Sequence, residues 1–119
     1  EELERTSSLT LLSSLEASLR IDYQNRCDQK KKDSLSREFK SLYKKKQSNI
    51  PLEDGILKAW KRHHPELKAL ISRLVAAFKY RHWLAHGRYW ELKLGRKYDY
   101  SDIYSLAQDV YKRFPLLRQ

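Results

Sequence analysis

The chain has 119 residues, room for one hydrophobic core but not for two, and its 40% hydrophobic and 34% charged residues describe a protein with a large wetted surface. No apolar run approaches the roughly 18–20 residues a membrane-crossing helix needs, which excludes a spanning segment, and the opening Glu1-Glu2-Leu3 lacks the basic-then-apolar order of a secretory signal. The formal net charge of +10 and pI near 9.8 favour polyanionic partners, nucleic acid foremost; an anionic membrane surface, an acidic protein or plain solubility compete as reasons for such charge.

Three glycines and three prolines leave long stretches free to follow a helical period. The first predicted helix runs from about Leu9 to Asp28, with Leu12, Leu15, Leu19 and Tyr23 spaced by three and four. Cys27, the only cysteine, falls near its end as an ordinary helix residue; a chain with no possible internal disulfide suits a reducing, cytoplasmic setting. A second helix starts behind Asp33 or Ser34, either of which can cap it, and places Leu35, Phe39, Leu42 and Tyr43 on one face. Lys44-Lys45-Lys46 closes it, where basic side chains complement the helix dipole.

Ser48-Asn49-Ile50-Pro51 reads as a linker, because proline disfavours helix at the residue before it. A short helix from about Leu52 to His63 follows, with Ile56, Leu57 and Trp60 as its apolar residues. Pro65 suits the first turn of the next helix, where its missing N–H costs nothing. That helix carries the broadest apolar stripe, Leu67, Leu70, Ile71, Leu74, Val75 and Phe78, and Gly87 stops it. Residues 88–99 are expected to be irregular. A final helix begins near Ser101-Asp102, buries Ile103, Leu106, Val110 and Phe114, and ends at Pro115. The expected architecture is one all-α domain over 1–119, a bundle of four to five helices. The absence of any methionine predicts a processed or truncated chain preceded by further sequence.

The segment Phe78-Lys79-Tyr80-Arg81-His82-Trp83-Leu84-Ala85-His86-Gly87 concentrates the chemistry. The stripe Leu67, Ile71, Leu74, Phe78 continues to Arg81 and Ala85, so an arginine stands where the helix should bury its side chain. A buried guanidinium must meet a carboxylate, a carbonyl, an interface or a ligand phosphate; otherwise it snorkels outward. His86 stands five residues on, about 140° round an ideal helix, so the two side chains converge only where the last turn unwinds or where two copies meet on a twofold axis. A lone histidine at a helix end also has a purely structural role open to it.

Arg81, four residues, His86 and Gly87, with the ending Leu84-Ala85-His86-Gly87, resemble the signature of HEPN domains, and the all-α pattern with the motif late in a long helix is similar to theirs over most of the chain. The resemblance implies a dimeric, metal-independent endoribonuclease with the two motifs facing across a cleft, leaving a cyclic phosphate and a 5′-hydroxyl. It implies His86 as the general acid or base, a histidine with an ordinary pKa near about 6.5 being suited to proton transfer. It implies Arg81 as the clamp on the scissile phosphate, for which a planar fork of donors is suited. Many members carry Asn or Asp after the arginine, and this chain has His82 there. In a related toxin pattern a tyrosine two residues after the histidine receives an AMP group; here that place is Arg88 and Tyr89 follows, so the modification is not expected.

Further candidates cluster around the motif. Glu16 lies four residues before Arg20, as an exposed pair or as a carboxylate orienting Arg81 or His86. His82, Glu16 and Tyr89 are thus possible support for the site, and Arg88, Lys79, Lys61 and Arg62 are candidate RNA contacts. The lysine runs 30–32 and 44–46 are as well explained by solvated helix faces. Tyr89 and Trp90 beside Arg88 suit unstacked bases, or core packing in the case of Trp90. His82 and His86 have the spacing of metal ligands but lack the adjoining glutamate of zincin-type sites, and His63-His64 is poor ligand geometry, so neither metal nor cofactor is expected. Two functions follow: an RNA-cleaving homodimer, as a toxin or defence effector with an antitoxin or upstream regulatory domain, or a non-catalytic module binding RNA, a nucleotide or a partner protein.

Overall fold

The computed structural model describes residues 2–30, 32–46, 49–85 and 100–117, with side chains from residue 7 to residue 82 and from residue 100 onward within those spans. The fold is all-α, with no strand among the described residues. Helix α1 (Glu2–Asp28) is followed by α2 (Ser34–Lys46), a π-helical turn (Leu52–Leu57) that runs into α3 (Lys58–His63), a 3₁₀ turn (Pro65–Leu67) that opens α4 (Lys68–Ala85), and α5 (Tyr100–Arg113). None of the described helices is long and apolar enough to cross a membrane. The first helix starts earlier than the leucine period alone predicts. Its 27 residues make a rod of about 40 Å, against which α2, α4 and α5 all pack.

The core follows the expected stripes. Leu12, Leu15, Leu19 and Tyr23 of α1 meet Leu35 and Phe39 of α2, Ile56, Leu57 and Trp60, Leu67, Leu70, Ile71 and Leu74, and Ile103, Leu106, Val110 and Phe114 of α5. Tyr23 sets its ring edge-on to Phe39 with centroids 5.0 Å apart. Trp60 is fully buried and packs on Phe114 at 4.8 Å and His64 at 5.0 Å. Val75 and Phe78 are only partly buried, and Ala77 and Tyr80 take the inner positions of α4 in this stretch.

Asp33 is the cap of α2. Its carboxylate accepts the Ser36 backbone N–H at 3.2 Å and the Ser36 hydroxyl at 2.8 Å, the geometry that satisfies an orphan donor in the first helical turn. Burial pushes the Asp33 carboxyl up, but the Ser36 bonds and neighbouring Arg26 outweigh it and hold the group below its ordinary range.

No hydrophobic period announces the polar centre of the bundle. Arg26 and Asp22 of α1 are both buried. The Arg26 guanidinium donates to Asp22 at 2.9 Å, to Asp33 and the Ser36 hydroxyl at 3.1 Å each, and to the Pro115 carbonyl at 2.8 Å. Its flat face lies 5.3 Å from the centre of the Trp60 ring, within cation–π range. Asp22 also accepts the Leu117 N–H at 2.6 Å, and Asn25 donates to the Leu117 carbonyl at 3.1 Å. One side chain thereby joins α1, the start of α2, α3 and the segment after α5. Burial raises the Asp22 carboxyl above its ordinary range in spite of the Leu117 and Arg26 bonds, so this pair holds the fold in one arrangement at a desolvation cost.

In the π-helical turn the Pro51 carbonyl takes two hydrogen bonds, from the N–H groups of Gly55 at 3.1 Å and Ile56 at 3.2 Å, the second being the wider spacing that defines the turn. A side chain at Gly55 would run into Cγ1 and Cδ1 of Ile50, which is itself buried.

Two substitutions test this framework by urea unfolding. Arg26→Met leaves the Asp22 carboxylate buried without its counter-charge and is expected to cost about 3–5 kcal/mol, with much of the loss recovered when Asp22→Leu is added. Gly55→Ala overpacks the Ile50 pocket and is expected to cost about 1–3 kcal/mol.

Candidate functional site

The long helix α4 delivers Arg81 to the side of α1. Arg81 does continue the inner line of α4, but it meets α1 at Ser13 and Glu16, on the polar flank beside the buried Leu12 and Leu15. The side chain is therefore not sealed in as the stripe alone predicts: 34% of it is exposed. Its Nη2 lies 2.9 Å from Glu16 Oε1, and its Nη1 approaches the Ser13 hydroxyl at 3.4 Å. Its Nε is buried and has no hydrogen-bond partner among the described residues.

Glu16 serves two arginines. Its second oxygen, Oε2, accepts from Arg20 Nε at 3.0 Å, and Arg20 Nη1 donates to the Ile50 carbonyl at 2.9 Å. The pair with Arg20 foreseen from spacing is present together with the contact to Arg81, so the two alternatives are not exclusive. One carboxylate between two guanidinium groups leaves a surplus positive charge at a half-open surface. Such a cluster suits a phosphate, because guanidinium groups bind anionic oxygens with paired, charged donors. The connection from Arg20 to the Ile50 carbonyl has no sequence signal; it depends on the π-helical turn that brings Ile50 against α1.

The other sequence candidates are dispersed. His82 is exposed, and Lys79, also exposed, stands about 200° round α4 from Arg81. Lys61 and Arg62 are exposed on α3, and Arg62 is bound by both nitrogen positions to the Glu38 carboxylate of α2. His86, Arg88, Tyr89 and Trp90 lie outside the described residues, as do the Gly87 stop and the expected irregular segment 88–99. Neither adjacent histidine is placed as a ligand pair: His63 Nε2 lies 2.7 Å from Glu38 Oε1 and His64 Nδ1 lies 3.1 Å from Glu66 Oε2. Among the described residues no three His, Cys, Asp or Glu side chains converge as a metal site. Cys27 donates weakly to the Phe39 carbonyl at 3.5 Å, and burial pushes its thiol up to about 11. It is therefore protonated at neutral pH and a poor nucleophile.

The Glu38 junction between α2 and α3 was not visible in the sequence, where residues 38, 62 and 63 are far apart. Arg62, then His63, hold the Glu38 carboxyl below its ordinary range. No family model, no curated protein and no solved structure matches the chain.

The lowered Glu38 pKa fixes the sign of a pH effect. The carboxylate binds protons more weakly in the folded state, so its contribution to stability is complete above the unfolded glutamate pKa of about 4.3 and is lost as pH falls through the folded value. Glu38→Gln should lower the melting temperature at pH 7, and the gap to the parent protein should close in thermal scans taken at progressively more acid pH.

Proposed function

We propose that the chain is a HEPN-type endoribonuclease that cleaves RNA without metal through a site shared by two copies. The observation that carries this reading is the state of Arg81: it is anchored at one end of its fork by Glu16 and about a third exposed. Anchoring removes rotamer freedom before a ligand arrives, and the exposed part of the fork is open to an anionic oxygen. Arg81 holds the scissile phosphate and stabilises the extra negative charge that forms when the ribose 2′-oxygen adds to phosphorus. His86 transfers protons, taking one from the 2′-hydroxyl and, through the twofold-related copy, giving one to the leaving 5′-oxygen. The new bond joins the 2′-oxygen to phosphorus and the broken bond releases the 5′-oxygen. The products are a 2′,3′-cyclic phosphate and a 5′-hydroxyl, and no water is consumed. Glu16 acts through Arg81 as a positioning residue, and Arg20 holds Glu16. The +10 charge supports RNA as substrate; in this reading the chain acts in the cytoplasm as a toxin or defence effector restrained by an antitoxin or an attached regulatory domain.

A non-catalytic helical module that binds RNA, a nucleotide or a partner protein is the second reading. It draws on the same Arg81–Glu16 pair, which also satisfies an arginine that has only a structural part to play.

Incubation of the protein with labelled single-stranded RNA in EDTA separates the two. Cleavage to cyclic-phosphate ends is expected, falling by about 10²–10⁴-fold in His86→Ala and by a comparable factor in Arg81→Ala. Glu16→Gln, which keeps the shape and releases Arg81, should cost about 10- to 100-fold. Undiminished cleavage in His86→Ala, or RNA binding with no product in any RNA class, would overturn the nuclease.

A further inference from the structure

Where α2 lies along the last turns of α1, the surface opens into a groove of about 530 Å³ lined by Cys27 and Asp28 of α1 and Lys40, Tyr43 and Lys44 of α2. This volume lies within the roughly 300–1,000 Å³ of sites that take one small ligand group, and it is far too small for a duplex. The floor is aromatic. The Tyr43 ring lies nearly parallel to Tyr23, 21° apart in plane with centroids at 6.4 Å, and Tyr23 in turn meets Phe39 edge-on. Tyr43 is the outermost ring of this series and is only partly buried, so the stack ends at the groove.

The walls are charged unevenly. Lys40 and Lys44 stand one helical turn apart, about 6 Å along the axis of α2, and Lys45 and Lys46 continue the basic surface at its end. Lys30 and Lys32 are exposed in the connection between the two helices. Opposing them within the groove is Asp28, which accepts a hydrogen bond from Gln24 at 3.0 Å. Burial raises Tyr23 to about 12 and Cys27 to about 11, so neither adds a negative charge at physiological pH. The resulting balance is positive.

We propose that this α1–α2 groove is a binding site for single-stranded RNA, in which one unstacked base extends the Tyr23–Tyr43 series and the flanking phosphates lie on Lys40 and Lys44. Aromatic stacking is tolerant of sequence, and lysines act as point charges along a backbone; together they describe a non-specific strand contact. An acidic peptide would use the lysines but leave the ring face without a flat partner. The groove uses residues of α1 and α2 that take no part in the Arg81 cluster, so it works as an anchoring site that retains a strand. The inference rests on RNA as the ligand class, but not on cleavage.

The sole cysteine provides the measurement. Cys27 lines the groove, so a bound strand should shield its thiol. The full chain carrying His86→Ala, which keeps RNA intact, is treated with N-ethylmaleimide at mildly alkaline pH with and without a saturating octauridylate, and binding is followed in parallel by fluorescence anisotropy. The expected result is at least a threefold slowing of Cys27 modification by the octamer, with little slowing by a duplex of equal length. Lys40→Glu/Lys44→Glu, both on α2, should abolish the shielding and weaken octamer binding about tenfold or more. Tyr43→Leu should weaken binding while leaving the salt dependence in place, and circular dichroism confirms that each variant is folded. Octamer bound by anisotropy without any shielding of Cys27, or shielding unchanged in the double lysine variant, would overturn the groove. Loss of shielding with cleavage retained on short substrates would leave the nuclease reading standing, and shielding without cleavage would overturn only the nuclease.

Discussion

The bundle depends on a charge placed inside it. Arg26 emerges from α1 into the space between α2, α3 and the segment after α5, and its polar partners come from α1 itself, from the start of α2 and from the segment after α5. Leucine stripes alone permit helices to slide and rotate against one another with little change in buried area. A guanidinium with fixed donor directions does not. Asp22, the Ser36 hydroxyl, the Pro115 carbonyl and the face of Trp60 specify one angular position for α1, and the hydrophobic residues then close around it. The cost of burying the pair is visible in the upward displacement of the Asp22 carboxyl, and the gain is a single packing for helices whose apolar faces are otherwise interchangeable.

The Arg81 cluster repeats the same chemistry in a more open setting. There too an arginine meets a carboxylate of α1, Glu16, but the pair stands on the polar flank beside the buried leucines of α1, and a third of the Arg81 side chain remains exposed. Arg26 has its nitrogen groups engaged on several sides and is therefore a structural element. Arg81 has one close partner, a longer approach to Ser13 and a buried Nε–H without one. The difference between a fully engaged strut and a partly exposed arginine lies in this accounting of donors, and residue type alone does not reveal it.

Much of this architecture was legible from periodicity. The faces built on Leu12, Leu35, Leu67 and Ile103 follow from steps of three and four, and Asp33 was one of two recognisable caps. The extension of α1 toward Glu2 escaped because its first turns carry few apolar residues to show a period. The π-helical turn escaped because its hydrogen bonding is local: a proline carbonyl that accepts twice, beside a glycine pressed against Ile50. At the site, the Glu16–Arg20 spacing and the inward line to Arg81 were each visible. Their meeting on one carboxylate was not, because it depends on the rotation of α4 against α1. The Arg26 hub and the Glu38–His63–Arg62 junction join residues far apart in sequence, and no short pattern encodes them.

The position of Arg26 has a consequence for biosynthesis. Its carbonyl partner is Pro115, and the backbone N–H that completes Asp22 belongs to Leu117, while Ser18 of α1 shares a hydrogen bond with Tyr111. A ribosome releases α1 long before these partners. Until α5 clears the exit tunnel, the nascent chain holds a polar hub without its Pro115 and Leu117 partners and an open leucine face, so α1 lacks the α5 side of its packing. The closing helix is also the one that makes the structure whole. In a nascent chain from which α5 has not yet emerged, the arginine of α4 therefore meets an α1 whose packing is incomplete.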